Sequence, residues 1–197
     1  MPIPQVATYL IEDLSPALLS QETRRVYELL DKNHSAKPKK FRSCPPMYEL
    51  TDGRGYTYLI LVEDGEITYF VRHHDVPGLP FRAGRQVLLA RLASTFLTNQ
   101  LPQKIFFSVL LPKYGTIVAD TAQTDKGRRF WISAIAEAFR RGKYVYFVDM
   151  RNETEPPVVT LLPDTQAVLN VKNDIWGTSA LHEATFAAIS TIRISDA

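Results

Sequence analysis

"TIVADTAQTDKGRRFWISAIAEAFRRGKYVYFVD", Thr116 to Asp149, is the stretch whose reading decides the fold. A β-branched run, Thr116–Asp120, enters a polar loop with one glycine, Gly127. A helical pattern follows: Phe130, Trp131, Ala134, Ile135, Ala138 and Phe139 recur on one apolar face. Gly142 stands where a left-handed residue ends a helix, and Arg140 and Arg141 complement the dipole of the last turn. A second β-rich run, Lys143–Asp149, reads as a strand buried on both faces. Strand, helix and strand in this order predict a β-α-β crossover, with the two strands parallel or splayed neighbours. Trp131, Ile135 and Phe139 are expected against the sheet, and Arg128 and Arg140 in solvent.

Upstream, "YTYLILVEDGEITYFVRHH" carries the strongest hairpin signal. Asp64-Gly65 suits a type I′ turn, which needs positive φ at both central residues. A two-residue loop pairs Val62 with Ile67, Ile60 with Tyr69 and Tyr58 with Val71, and sets Glu63 against Glu66. Both faces are apolar, so cover is expected on both sides. "RQVLLARLASTFL" (Arg85–Leu97) reads as a strand near Gln86–Leu92 followed by a helical turn. "KIFFSVLL" (Lys104–Leu111) reads as a strand ended by Pro112. Near the end, "VVTLL" reads as an edge strand, "PDTQAVLNVKNDIW" as a short helix and "HEATFAAISTIRI" as a closing strand.

At the start, Ser15-Pro16 and Ser20 are helix-start signals, and Val26, Leu29 and Leu30 make an apolar stripe. Asp31–Pro46 is basic, proline-bearing and poor in apolar residues, and reads as a linker or surface arm: a solvated connector, or lysines that touch a phosphate backbone. The organisation expected is an N-terminal helical segment with a basic linker over residues 1–46 and a mixed α/β domain over 47–197. The fold class expected is α/β (α+β), with a mixed, mostly antiparallel central sheet, one β-α-β crossover and helices on both faces.

Composition excludes more than it assigns. Of 197 residues, 45% are hydrophobic and 22% charged, enough apolar matter for a core without staples. The net charge of +2 demands no nucleic-acid partner. One cysteine, Cys44, rules out an intrachain disulfide and favours a reducing compartment. The start has no basic n-region, and no apolar run reaches the roughly 18 residues of a membrane span, so a cytoplasmic protein is expected; an effector exported by a non-Sec route would look the same. No Cys/His cluster has metal spacing, so no metal is expected.

The loop after "TIVAD" is the candidate site. In β-α-β units ligands gather at the carboxyl ends of strands, and the next helix presents free N–H groups and partial positive charge. Gly127 allows close backbone approach, Lys126, Arg128 and Arg129 add charge, and Thr121 and Thr124 add hydroxyls. The alternative is an ordinary helix start capped by Thr124. His73 and His74 close the hairpin as candidate bases or as structural residues. Cys44 would need a histidine beside it to act as a nucleophile, and Trp176 is a packed aromatic or a pocket wall.

The element order, and "ADTAQTDKGRRFWISAIAEAFRRGKYVYFVD" in particular, resembles the core of the GNAT-type acyltransferases. In that family a strand ends in a loop of pattern Gln/Arg-x-x-Gly-x-Gly/Ala whose amides hold the pyrophosphate of acetyl-coenzyme A. A helix and a strand splayed from the first follow, and pantetheine lies in the gap. Gln123 takes the first motif position, Lys126 and Arg128 the fourth and sixth, and Gly127 falls between them. The resemblance implies an acyl-coenzyme A-dependent transferase acting on an amine. Gln123, Thr124, Lys126, Gly127, Arg128 and Arg129 would hold acetyl-CoA or another acyl-CoA. Asp120 or His73 would be the base, and Tyr144 or Tyr146 the acid that protonates the thiolate. The other function in keeping with the residues is a non-enzymatic binding protein on the same scaffold, a bacterial effector or phage accessory factor working through a protein partner.

Overall fold

The computed structural model describes residues 9–10, 16–92, 96–120, 125–152, 155–176 and 184–194. Among them nine strands form one sheet, numbered here in chain order. β1 is Tyr9–Leu10, β2 Tyr48–Thr51, β3 Thr57–Glu63, β4 Glu66–Val76 and β5 Ala83–Arg91. β6 is Thr116–Val118, β7 Tyr144–Asp149, β8 Val158–Leu162 and β9 Thr185–Ser190. Across the sheet the order is β2-β3-β4-β5-β6-β9-β7-β8, with β1 beside β5. Only β1 and β6 run parallel to a neighbour, in both cases β5; the other pairings are antiparallel. The fold is therefore α+β with a mixed, mostly antiparallel sheet, as the sequence predicts.

The hairpin forms as read, with φ of 52° at Asp64 and 83° at Gly65. Glu63–Glu66 and Val62–Ile67 pair as expected, but the register then shifts. Leu61 pairs with Tyr69, Ile60 with Phe70 and Tyr58 with Arg72. One extra residue on β4 makes this bulge, and it turns the β4 side chains over relative to the simple register. Leu59, Leu61, Tyr69 and Val71 consequently join the large core, while Tyr58, Ile60, Ile67 and Phe70 meet α1 (Pro16–Lys32) through Val26 and Leu29. A buried ion pair reinforces that contact: Arg72 Nη1 donates to Glu22 Oε2 at 2.9 Å.

Helix α2 (Phe96–Ile105) continues through a π-helical turn (Phe106–Leu110) into α3 (Leu111–Tyr114). This corrects the expectation of a strand at Lys104–Leu111. Phe106, Phe107, Val109 and Leu110 are all buried, so the segment is apolar on every side and its sequence has no strand-or-helix period to read. Pro112 ends no strand: it is the second residue of α3, directly after the π-helical turn.

Helix α4 (Asp125–Arg140) buries Trp131, Ala134, Ile135 and Ala138 and half-buries Phe139, with Arg128 and Arg140 exposed, as expected. Phe106 stacks edge-on to Trp131 at 5.5 Å between ring centroids, so α2–α3 and α4 share the face opposite α1. The crossover prediction is corrected in one respect. β6 and β7 lie in one sheet and run the same way, but β9 is hydrogen-bonded between them. β9 buries all six residues, and Ala187 and Ala188 let the layers on both faces close over it. The last helix, α5 (Thr165–Trp176), leads back from edge strand β8 to β9, and Asp164 caps it by accepting the Ala167 N–H at 2.8 Å.

Candidate functional site

Residues β5 and β6 supply the feature that organises the site. They pair only at Gly84–Ile117 and Arg85–Val118. β5 then runs on to Arg91, and at Leu88 and Leu89 its partner is β1, not β6. Two adjacent parallel strands thus share a short ladder and part. The strands part toward their carboxyl ends, the end at which α4 also begins, and β1 takes the β5 edge there. Lys126 in its first turn is half-buried, and Arg128 and Arg129 are exposed. Gly127 lies inside that first turn and is buried, so it belongs to the helix rather than to a loop. Gln123 and Thr124, with Thr121, lie outside the described residues.

Asp120 follows β6 at the apex of the wedge so formed. It is 2% exposed and faces Arg85, itself 4% exposed, with Nη1 to Oδ1 at 3.9 Å. That distance makes an ion pair and not a hydrogen bond. The Arg85 Nε is buried and has no hydrogen-bond partner among the described residues. Its guanidinium carbon lies 5.7 Å from the centre of the Phe186 ring. Burial pushes the Arg85 pKa down, and the Asp120 charge opposes this.

The other candidate acid–base residues do not gather there. His73 pairs across the ladder with Gln86, while its neighbour His74 pairs with Arg85, so His73 points to the opposite face. Its Nδ1 lies 2.6 Å from the Tyr114 hydroxyl, and its Nε2 is buried with no hydrogen-bond partner among the described residues. Burial, with a smaller contribution from the Lys113 charge, brings its pKa down to about 3, so the ring is neutral at physiological pH. Burial also raises the Tyr114 hydroxyl. His74 Nδ1 contacts the Asp75 carbonyl, and the ring stacks edge-on to Tyr56.

Tyr146 shares the face of Asp120, two strands away through Ala188, and its hydroxyl accepts the Ile194 N–H at 2.8 Å. Tyr144 is half-buried at the far end of β7, level with Ser190 and Thr116. Four residues of β-strand, about 13 Å, separate the Thr116 level from Asp120. Cys44 is half-buried, and burial raises its thiol, which disfavours a thiolate nucleophile. Trp176 packs partly buried against the main core.

Sequence reading missed Arg85. Its signal was an arginine and a glutamine, Arg85-Gln86, opening a strand otherwise apolar on both faces. Among the described residues no group of three or more His, Cys, Asp or Glu is placed to hold a metal ion, and no helix is long and apolar enough to cross a membrane. Compared with family models, with curated proteins and with solved structures, the chain matches none of them.

Proposed function

We propose that the chain is an acyl-coenzyme A-dependent transferase acting on an amine, a GNAT-like fold in which the wedge between β5 and β6 takes the cofactor's arm. The observation that carries this reading is the parting of two adjacent parallel strands joined by a helical crossover, α2–α3. The resemblance has two splayed strands on either side of a helix; the pair put forward for that role is β5 and β6, one crossover earlier in the chain than Thr116–Asp149. Two helices, α2 and α4, begin at the end where these strands part, and there their dipoles favour a diphosphate, while Arg128 and Arg129 add cationic charge. Asp120 at the apex is the base of this reading, and Tyr146, on the same face, is the acid.

A second reading has its own observation. β1 occupies the β5 edge at Leu88 and Leu89, so a segment of the chain itself fills part of the wedge. That favours a protein that works through contacts and binds no cofactor.

Thermal unfolding with coenzyme A or acetyl-coenzyme A separates the two. A ligand at 100 times its Kd adds about 2.7 kcal/mol of stability. The transferase reading expects a clear rise in Tm, reduced in Arg128→Glu/Arg129→Glu, whose exposed side chains leave the fold intact. No rise at millimolar ligand sinks it and leaves the binding protein.

A further inference from the structure

We propose that Arg85 and Asp120 form a recognition site for the zwitterionic head of an α-amino acid, with the carboxylate on Arg85 and the ammonium on Asp120. The inference rests on the transferase reading in one respect, that it names the class of amine acceptor.

Three observations carry it. The first is the state of Arg85. A guanidinium has five N–H donors, and a buried one ordinarily meets them with acceptors. Here the side chain is 5% exposed, its Nε has no partner among the described residues, and its ion pair stands beyond hydrogen-bonding distance. A planar fork with donors to spare suits a carboxylate.

The second is charge. Among the described residues the apex holds one buried cation and one buried anion, beside Val118, Phe186 and Ala188. A free phosphate or simple carboxylate would leave a net negative charge in an apolar setting, which is costly. A zwitterion keeps the site neutral. Asp120 has other interactions, but a carboxylate has about four acceptor positions and can take an ammonium as well.

The third is spacing. The facing charged atoms are 3.9 Å apart. In an α-amino acid a single carbon separates the two charged groups, so both meet their counterparts at once. A longer zwitterion would have to fold back on itself. The pair also stands where the β5–β6 ladder ends, at the apex of the wedge in which an acyl group would be delivered.

The test is thermal unfolding of the wild-type chain, without coenzyme A, against each of the twenty proteinogenic L-amino acids at millimolar concentration. Every amino acid that binds is then compared with its N-acetyl derivative and its methyl ester. A subset should raise Tm, by about 3–6 °C at tenfold excess over Kd. The N-acetyl form, which lacks the ammonium, and the ester, which lacks the carboxylate, should leave Tm unchanged. Arg85→Lys keeps the charge but not the fork and should lose at least tenfold in affinity, with circular dichroism confirming the fold. If no amino acid raises Tm, or if the ester binds as well as the parent acid, the proposal fails. Because coenzyme A is absent, an amino-acid response without a coenzyme A response upholds this site and removes only the transferase reading. A coenzyme A response with no amino-acid response does the reverse.

Discussion

Gly84 shows how closely single residues are fitted at the β5–β6 junction. A Cβ there would lie 2.2 Å from Tyr114 Cδ2 and 2.3 Å from Cγ. These ring atoms sit next to the Tyr114 backbone and cannot swing aside alone. Gly84→Ala must therefore push the ring out and break the 2.6 Å contact between its hydroxyl and His73. The expected cost is about 1–3 kcal/mol, read from urea unfolding. On a Tyr114→Ala background the same substitution should cost little, because the obstacle is gone. Equal costs on both backgrounds would show that the ring is not the reason for the glycine. Gly142 is a different case. Nothing lies within 4 Å of its would-be Cβ, and its φ is +62°. It ends α4 with Lys143 N–H donating to the Ala138 carbonyl at 2.9 Å and Gly142 N–H to Phe139 at 3.0 Å. Gly142→Ala should cost about 1–2 kcal/mol through left-handed backbone strain alone, and Gly142→Asn less.

At the scale of elements, what the sequence disclosed followed from local chemistry. The Asp64-Gly65 turn needs positive φ at both central residues and was legible for that reason. α4 was legible because one face is apolar and the other charged, with Gly142 to stop it. The β4 bulge was not, because an inserted residue leaves no mark when both faces are apolar. The α2–α3 run failed for a related reason: Leu101, Ile105, Phe106, Val109 and Leu110 are all buried, so no polar side betrays the helical period. Phe106 packs against Phe107, Phe130 and Trp131 with centroids 5.0–5.7 Å apart. Phe106→Ala should cost about 3–5 kcal/mol by urea unfolding, because the cavity opens between two helices and the ring contacts are lost together. Ile132→Ala, on the exposed side of α4, should change stability by less than about 0.5 kcal/mol. Comparable losses in the two variants would mean that the helices meet elsewhere.

Across the whole molecule, the sheet is two halves joined in its plane by a short ladder. β2–β5 form one half and β6, β9, β7 and β8 the other, with Gly84–Ile117 and Arg85–Val118 between them. No local pattern announces such a join, because strand order depends on which partners satisfy each edge. The placing of β9 between β6 and β7 was hidden for the same reason, and so was the Arg85–Asp120 pair that depends on the join. On the other face of the junction, His73 and Tyr114 make it sensitive to pH. The folded chain holds His73 at about 3 against an ordinary 6.5, chiefly through burial. Between those values the unfolded chain binds a proton at this position and the folded chain does not, so stability rises with pH through that window. It is fully present above 6.5 and is lost as pH falls, by up to about 1.4 kcal/mol per pH unit. His74, also lowered chiefly by burial, acts in the same direction. Glu49 contributes lower down. Burial would raise it, but hydrogen bonds and charge from Lys113 and Lys39 outweigh burial and bring it from 4.5 to about 2, so its stabilisation is lost only below 4.5. Between about pH 6.5 and pH 4.5 the histidines therefore dominate. Urea midpoints of the wild type should fall steadily over that interval. His73→Gln, whose amide can still meet the Tyr114 hydroxyl, should be less stable near neutral pH yet show a flatter profile, with His74 contributing to the slope that remains. Parallel profiles for wild type and variant would place the titrating group elsewhere and show that the junction does not hold its histidine neutral.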